Sequence, residues 1–230
     1  MVKKTVIKLT GALFDFPSNE EGLEEILRIA EVLKETGRKL DKILVVTGGG
    51  RRLRELLNAL RKKGVKNEGV LDQIGIMYTR LNAYILISML SDSCVRYVPE
   101  TLDEVLVMSL NNKIVVTGGL LPGFSTNAVA ALIAELINAD LLVMMTRAGA
   151  VYDKDPEKFP DAKPIQEISI RELRKKLLEF RGKAGYYPLL DHLSLDIIER
   201  ARILTAMIPP HAEALRKILE GEKVGTIIRP

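Results

Sequence analysis

Short runs of valine, isoleucine and leucine recur along this chain, with helical segments between them. The runs predict strands at 5–9, 43–47, 95–98, 114–117, 141–146, 203–208 and 225–228. Because most of these strands are apolar throughout rather than alternating with polar residues, both faces of their sheet must be covered. Strands that alternate with helices in this way predict an α/β fold, a three-layer α/β/α sandwich with a mostly parallel central sheet.

Apolar residues at helical spacing predict the covering layers. Helices are expected at 20–36, 51–63, 72–90, 101–110, 125–137, 170–180, 189–200 and 210–219. Thr101 and Ser169 are expected N-caps, and Glu104 completes a capping box with Thr101. The segment 72–90 is apolar almost all round, which predicts a central helix, whereas the Pro- and Asp-rich stretch 153–164 predicts a loop or short hairpin.

The scarce residue types exclude several kinds of chemistry. One cysteine, Cys94, excludes a disulfide framework and a multi-cysteine metal site. Two histidines, His192 and His211, argue against a zinc centre and a Ser-His-Asp relay. The chemistry is therefore expected to use lysine, arginine, aspartate, threonine and backbone N–H groups, with no metal ion held mainly by the protein. A length of 230 residues favours a single domain.

The distribution of charge favours neither a nucleic-acid partner nor a membrane. The chain has 34 basic and 30 acidic residues, and the interleaving of the two signs is typical of a solvated surface. The densest basic runs contain no aromatic residues to stack on bases. No apolar stretch approaches the ~20 residues of a membrane span and no signal peptide is evident, so a cytoplasmic protein is expected. Only two glutamines beside abundant Glu, Lys and Arg resemble the composition of hyperthermophile proteins.

Three of the predicted strands end in glycine before a helix begins, at residue 11 and at residues 48–50 and 118–119. Ligands of open α/β sheets bind outside the carboxyl edge, and glycine there lets backbone N–H groups approach an anion. The alternative is that these glycines only permit tight turns. Because three such turns would meet at one edge, we expect a phosphate site, although the P-loop and G-x-G-x-x-G motifs are absent.

Several polar residues near these turns have both a functional and a plain structural interpretation. Lys8 ends a buried strand, where an ammonium group needs a partner, so a functional role is expected. Arg54 alone would be interpreted as a surface residue. Asp72 could simply be favoured by a helix N-terminus, and Tyr152 and Asp155 could be turn residues.

These residues fall in blocks that resemble the amino-acid-kinase superfamily and, within it, the archaeal uridylate (UMP) kinases. The blocks are VVTGGG at 45–50 with Arg54, DQIG at 72–75 with TRLNA at 79–83, VTGGLLPGFST at 116–126 with AVAA at 128–131, YDKDP at 152–156, and AGY at 184–186 with LD at 190–191. The resemblance extends from residue 6 to residue 229. It implies the amino-acid-kinase fold, with an acceptor lobe at about 1–138 and a nucleotide lobe at about 139–230 sharing one sheet.

The resemblance implies ATP-dependent phosphorylation of UMP to UDP, with Mg²⁺ arriving on ATP, by a homohexamer built as a trimer of dimers. Lys8 and Arg54 are the implied catalytic residues. The implied UMP-binding residues are Gly49, Asp72, Leu120, Leu121, Pro122, Gly123, Phe124, Ser125 and Thr126, and the implied ATP-binding residues are Lys8, Gly11, Gly50, Arg54, Thr146, Arg147, Tyr152 and Asp155. A phosphate monoester with a second pKa near 6 needs no general base, so a kinase without a catalytic histidine is consistent.

The chain departs from the family mainly on the donor side. Gly149 stands where many relatives have aspartate, Arg147 is an added cation, and Ala12 replaces a residue that is often polar or basic. Asn127 stands where many relatives have aspartate, and His192 replaces a proline. We expect Arg147 to supply the cationic contact to the donor phosphates that position 12 no longer provides.

These departures leave two alternatives open. A kinase of the same superfamily with another small acceptor would keep the donor residues and alter the loop at 120–126, whereas here that loop is the better match. A weakly catalytic or non-catalytic nucleotide-binding or storage homologue would have an eroded donor site like that at 147–149.

Overall fold

A seven-stranded, mostly parallel sheet runs through the whole protein, in a computed structural model that describes residues 2–15, 20–156, 158–179 and 190–230. The strands are β1 Lys4–Leu9, β2 Lys42–Thr47, β3 Ile114–Thr117, β4 Leu141–Met145, β5 Val151–Tyr152, β6 Pro164–Ile165, β7 Glu167–Ser169, β8 Thr205–Ile208 and β9 Thr226–Arg229. The sheet order is β3-β2-β1-β4-β8-β9-β7, and only the β8–β9 pair within it is antiparallel. The two short strands β5 and β6 form a separate hairpin, as predicted for 153–164.

Eight α-helices lie between these strands in the described part of the chain. They are α1 Glu20–Gly37, α2 Gly50–Lys62, α3 Glu68–Leu90, α4 Leu102–Asn111, α5 Thr126–Leu136, α6 Ile170–Glu179, α7 His192–Ala201 and α8 Ala212–Leu219. Short 3₁₀ turns occupy Gly11–Phe14 and Ser91–Ser93. The expected capping bond of Thr101 is present, but the Glu104 carboxylate accepts from the Glu100 N–H at 2.7 Å.

Successive residues of the central strands pack into different layers, which confirms the three-layer α/β/α prediction. Ile7 and Leu9 of β1 join the cluster covered by α1, α3 and α8, whereas Val6 joins the cluster covered by α5, α6 and α7. This alternation follows from the two-residue period of a strand. Lys8 therefore lies on the same face of the sheet as Val6, towards α5 and α7.

Two strand predictions need correction. Residues 95–98 form no strand, since only Val98 is deeply buried there, Tyr97 is 44% exposed, and the following Pro99 has no N–H to donate. Strand β7 was not predicted, because it is short, has polar ends and lies at the sheet edge, where it pairs with β9. The remaining differences are shifts of a few residues at element ends.

The long helix α3 is not central. Its inner residues, including Leu71, Leu86 and Leu90, are buried, whereas Met77 is 66% exposed and Leu81 is 56% exposed. By length and composition alone, the segment Glu68–Ser93 could also cross a membrane, contrary to the expectation that no apolar stretch approaches that length. Here its buried side belongs to the core beside α1 and the sheet.

Candidate active site

A cavity of about 660 Å³ lies at the carboxyl ends of the central strands, where the sequence predicted a phosphate site. The parallel strands β1, β2 and β4 end at this edge, so the loops that follow them come together. The predicted site residues that line it are Lys8, Gly11, Gly49, Gly50, Arg54, Ser125, Thr126, Thr146, Arg147, Tyr152 and Asp155. Asp72 and the first five residues of the loop at 120–126 do not line it.

Two of the three glycine turns meet backbone to backbone inside the cavity wall. A Cβ atom at Gly11 would lie 1.9 Å from the backbone nitrogen of Gly50, and one at Gly48 would lie 2.8 Å from the Gly11 nitrogen. These contacts leave no room for a side chain at either position. The glycines are therefore required by the close approach of two loops, which places both loops beside the same cavity.

The third glycine turn packs against α3. A Cβ atom at Gly118 would lie 2.6 Å from the backbone nitrogen of Arg80, and the Gly119 N–H donates to Thr79 Oγ1 at 2.7 Å. Neither glycine lines the cavity. At this turn the alternative interpretation, a tight turn without a direct phosphate contact, fits the geometry better.

The predicted acceptor loop is held by two carboxylates. Asp72 Oδ2 accepts from the Gly123 N–H at 2.7 Å, and Ser125 Oγ donates to Asp191 Oδ2 at 2.5 Å. Ser125 also caps α5 by accepting from the Ala128 N–H at 3.0 Å. Asp72 thus lies next to the loop at 120–126, and that loop enters the cavity only through its last two residues.

The cavity lining is strongly basic. Among the described residues it contains five basic side chains, from Lys8, Arg54, Arg147, Lys154 and Lys176, and one acidic side chain, from Asp155. Sequence reasoning missed Lys154 and Lys176, although Lys154 lies inside the YDKDP block. A concave surface with this charge balance attracts polyanions such as nucleotide phosphates.

Lys8 has the most strongly altered electrostatics in this cavity. Burial is the main effect that lowers the pKa of Lys8, from its ordinary value of 10.5 to about 8. The positive charge of Arg54 lowers the pKa of Lys8 further, and the negative charge of Asp191 opposes both effects. A lysine held in this way between a cation and a carboxylate is typical of functional sites.

Asp191 is a third residue whose position at the site sequence reasoning did not identify. Its carboxylate caps α7 by accepting from the Ser194 N–H at 3.0 Å, and it also receives the Ser125 hydroxyl bond. Asp191 therefore joins the N-termini of α5 and α7 beside Lys8. An aspartate directly before a helix predicts an N-cap, but its approach to Lys8 depends on the fold. The AGY block at 184–186 lies outside the described residues.

Asn127 also lines the cavity, from the first turn of α5. Its Oδ1 atom is buried and accepts no hydrogen bond within the part of the chain that the structure describes. Such an acceptor is costly to leave unpaired. Within the described residues, Asn127 thus contributes an unpaired buried acceptor to the wall of a basic cavity.

The backbone conformation explains why glycine occupies position 149 in the donor segment 147–149. This residue has φ +72, and a Cβ atom there would lie 3.0 Å from the Pro209 side chain. Its N–H donates to Thr146 Oγ1 at 3.2 Å, which closes a tight turn after β4. Arg147 protrudes from this turn as an exposed cation beside the cavity.

No group of three or more His, Cys, Asp or Glu side chains is placed to hold a metal ion in residues 2–15, 20–156, 158–179 and 190–230. Both histidines, His192 and His211, lie outside the cavity lining. Asp155 is the one carboxylate that the described residues contribute to that lining, and it forms a 3.6 Å ion pair with Lys158.

Comparison with known proteins agrees with this arrangement. The sequence model described as the amino acid kinase family matches residues 3–208. The uridylate kinase of Sulfurisphaera tokodaii is 40% identical over 99% of both chains. The uridylate kinase of Methanocaldococcus jannaschii is 38% identical over 98% of this chain and 99% of that protein.

Solved structures show the same fold. The uridylate kinase of Archaeoglobus fulgidus has a TM-score of 0.86 and 34% identity, covering 99% of this chain and 100% of that one. A UMP kinase of Bacillus anthracis, at 21% identity, has a TM-score of 0.80 over 99% of this chain and 96% of that one, which bears on the fold alone. The chain therefore belongs to the amino acid kinase family, and its full-length relatives named here are uridylate kinases.

Proposed function

We propose that this protein is a uridylate kinase, which transfers the γ-phosphoryl group of ATP to UMP and releases UDP and ADP. The observation that supports this most is the meeting of Lys8, Arg54 and two glycine turns around one basic cavity. The full-length likeness to uridylate kinases supports the same reaction. The protein is a nucleoside monophosphate kinase that needs no catalytic histidine, since its nucleophile is already an anion.

In the proposed mechanism an oxygen of the UMP phosphate attacks the γ-phosphorus of ATP, and the bond from that phosphorus to the bridging β-γ oxygen breaks. Charge then accumulates on the transferred group and on the β-phosphate. Lys8 lines the cavity near the end of β1 and neutralises this charge, with Arg54 on the acceptor side. The N–H groups of the loops at Gly11, Gly49 and Gly50 position the phosphates.

On the acceptor side, we place UMP against the lobe formed by residues 1–138. Asp72 uses one carboxylate oxygen to hold Gly123, which leaves its second oxygen as an acceptor for the ribose hydroxyls. The loop formed by Leu120, Leu121, Pro122, Gly123, Phe124, Ser125 and Thr126 surrounds the uracil and the UMP phosphate.

On the donor side, we place ATP against the lobe formed by residues 139–230. Thr146, Tyr152 and Asp155 hold the base and ribose, and the apolar side chains of Leu173 and Leu177 face the same space. Lys154 and Lys176, the two lining lysines that were not predicted, contact the donor phosphates as point charges. Lys176 is held near the hairpin by donating to the Asp153 carbonyl at 3.1 Å.

The residues fit Mg²⁺ that arrives on ATP. The described part of the lining supplies one carboxylate, too few for an all-protein magnesium site, and Mg²⁺ in kinases is bound largely by phosphate oxygens and water. When bound, the ion neutralises charge on the donor phosphates. The protein's own share of that task belongs to Lys8 and the other basic side chains of the lining.

We propose the family's homohexamer, a trimer of dimers, as the assembled state. Val70, Met77, Leu81 and Tyr84 recur at helical spacing on α3, and each is at least 47% exposed. An exposed apolar stripe of this kind is typical of a helix that packs against a second copy. A cytoplasmic location follows from the substrates, since ATP and UMP are cytoplasmic metabolites.

Replacing Arg147 by alanine is expected to raise the Michaelis constant for ATP about tenfold, the value of one charge-assisted contact. The Michaelis constant for UMP should change less than twofold, because the cation lies on the donor side. Initial-rate kinetics with each substrate varied in turn measure both. Arg96→Ala removes an exposed arginine outside the cavity lining as the control. An unchanged constant for ATP would discard the role of Arg147.

A panel of acceptors tests the proposed function. Coupled ADP release is measured with UMP, CMP, AMP and isopentenyl phosphate, and UMP is expected to give the highest kcat/KM. A higher value with another acceptor would favour a different kinase of the superfamily. No turnover with any acceptor, together with UMP binding by calorimetry, would favour the storage homologue.

A further inference from the structure

A carboxylate from the first loop occupies the N-terminus of α2. Asp15 follows the 3₁₀ turn after β1 and is only 7% exposed. Its Oδ2 accepts from the Arg51 N–H at 3.1 Å, and its Oδ1 accepts from the Arg52 N–H at 3.0 Å. The helix has no capping side chain of its own, since its N-cap is Gly49. Asp15 therefore caps α2 from a loop 36 residues earlier in the chain.

The Asp15 bonds and the close approach of Gly11 and Gly50 together link the first loop to α2, and we call this link the clamp. A Cβ atom at Gly50 would lie 2.4 Å from the Gly11 carbonyl oxygen and 2.5 Å from Asp15 Oδ1. The first loop thus touches α2 through its backbone at Gly11 and through the side chain of Asp15. Two such contacts fix both the separation and the orientation of the loop and the helix.

The clamp holds together two elements that carry like charges. Lys8 lies on β1 directly before the first loop, and Arg54 lies on α2 one turn beyond the capped N–H groups. The two side chains line one cavity, and the charge of Arg54 disfavours the charged form of Lys8. Their repulsion favours a wider separation of the two side chains when no phosphate lies between them, and the link from the first loop to α2 opposes it.

Asp15 also restricts where a phosphate can bind. A helix N-terminus is a ready anion site, and here its N–H groups at Arg51 and Arg52 already bond to an internal carboxylate. These two N–H groups are therefore not open to a nucleotide phosphate, which is left with Lys8, Arg54 and the glycine N–H groups that line the cavity.

We propose that Asp15 is a positioning residue that ties the first glycine loop to α2 and so sets the separation of Lys8 and Arg54. This proposal rests on the phosphoryl transfer proposed above. Asp15 touches no substrate in it. It acts through the loop and the helix that it joins.

The test compares Asp15→Ala and Asp15→Asn with variants of Asp140. Asp140 Oδ2 likewise accepts from two consecutive N–H groups, those of Lys3 and Lys4, both at 2.8 Å, but at the opposite end of β1. For Asp15→Ala we expect kcat to fall about 10²-fold, since a shift of about 1 Å in a reacting group has effects of this size. Asp15→Asn, which keeps the shape of the side chain, should fall about tenfold. Asp140→Ala should keep kcat within a factor of two.

Restoring kcat with added formate distinguishes a positioning role of Asp15 from a general loss of structure in the variant. Formate can enter the space vacated in Asp15→Ala and accept from the same N–H groups, so it should restore part of kcat in this variant and none in Asp140→Ala. All rates are taken at a temperature where circular dichroism shows the variants folded. A kcat for Asp15→Asn within twofold of wild type, an equal loss in Asp140→Ala, or a loss that formate does not reverse would overturn the proposal.

A second measurement keeps this outcome distinct from failure of the proposed function. Calorimetry of ATP binding needs no acceptor, and Asp15→Ala should raise the Kd for ATP about tenfold because the first loop is displaced. If the wild type binds ATP but phosphorylates no acceptor, the uridylate kinase proposal fails and the weakened ATP binding still supports the role of Asp15. An unchanged Kd would count against Asp15 alone.

Discussion

Replacing Lys8 by methionine is expected to lower kcat about 10³-fold, because removing one preorganised charge from a phosphoryl-transfer site has effects of this size. Methionine keeps the length of the side chain and removes only the ammonium group. Lys4→Met is the matched control, since Lys4 lies on the same strand and its ammonium donates to the Ile137 carbonyl at 3.1 Å. A Lys8→Met enzyme with more than a tenth of the wild-type kcat would contradict the mechanism.

The same variant should be as stable as the wild type or more stable. The pKa of Lys8 is lowered from 10.5 to about 8, so between these pH values the unfolded chain binds more protons than the folded protein. Stability therefore rises with pH through this window in the wild type, and the charged lysine weakens the fold at pH 7 by at most about 3 kcal/mol. Lys8→Met removes this destabilising buried charge, although Asp191 then lacks the cation that faces it. Urea unfolding at pH 7 and pH 10 should show the rise in the wild type and not in Lys8→Met.

Activity should fall as the pH rises, whereas stability should rise. Only the charged lysine neutralises the transferred group, and the pKa of Lys8 is about 8 in the free enzyme. We therefore expect kcat/KM for ATP to fall as the pH rises through about 8, whereas kcat at saturating nucleotide should fall at higher pH, because bound phosphates favour the ammonium form. A kcat/KM that stays level to pH 10 would place the essential cation elsewhere.

Local patterns were sufficient to predict most of the sheet and the centre of the site. Apolar strands that end in glycine predicted β1, β2 and β3 and the edge at which Lys8, Gly11 and Gly49 meet. These features depend on neighbouring residues in the chain, since a strand and the turn after it form one local unit. For the same reason the hairpin around 153–164 was recognisable from its proline and aspartate residues.

Local sequence patterns could not predict contacts between segments that lie far apart in the chain. The bonds from Asp15 to α2 and from Ser125 to Asp191 join residues 36 and 66 positions apart, and no local spacing encodes them. Glycine alone also could not distinguish the turn that packs on Arg80 from the turns beside the cavity. The exposed stripe of α3 was mistaken for core, because an apolar helix face has the same sequence pattern whether its own chain or a partner covers it.

Substituting Gly50 by alanine is expected to disrupt the site through both backbone strain and a clash between the two loops. Gly50 has φ +80, which costs an alanine roughly 1 kcal/mol. The added Cβ would also lie 2.4 Å from the Gly11 carbonyl oxygen and 2.5 Å from Asp15 Oδ1, so the first loop and α2 must separate. A displacement of about 1 Å between the groups that hold reacting phosphates lowers kcat about 10²-fold.

Gly221 offers the control that separates these two effects of the methyl group. It has φ +91, and no atom lies within 4 Å of an added Cβ. Gly221→Ala should therefore show the loss of about 1 kcal/mol in stability that left-handed backbone imposes, with kcat unchanged. Gly50→Ala should lose more stability in urea unfolding and nearly all activity. If the two variants proved equally active, the close approach of Gly11 and Gly50 would have no part in phosphoryl transfer, because backbone conformation alone is common to both.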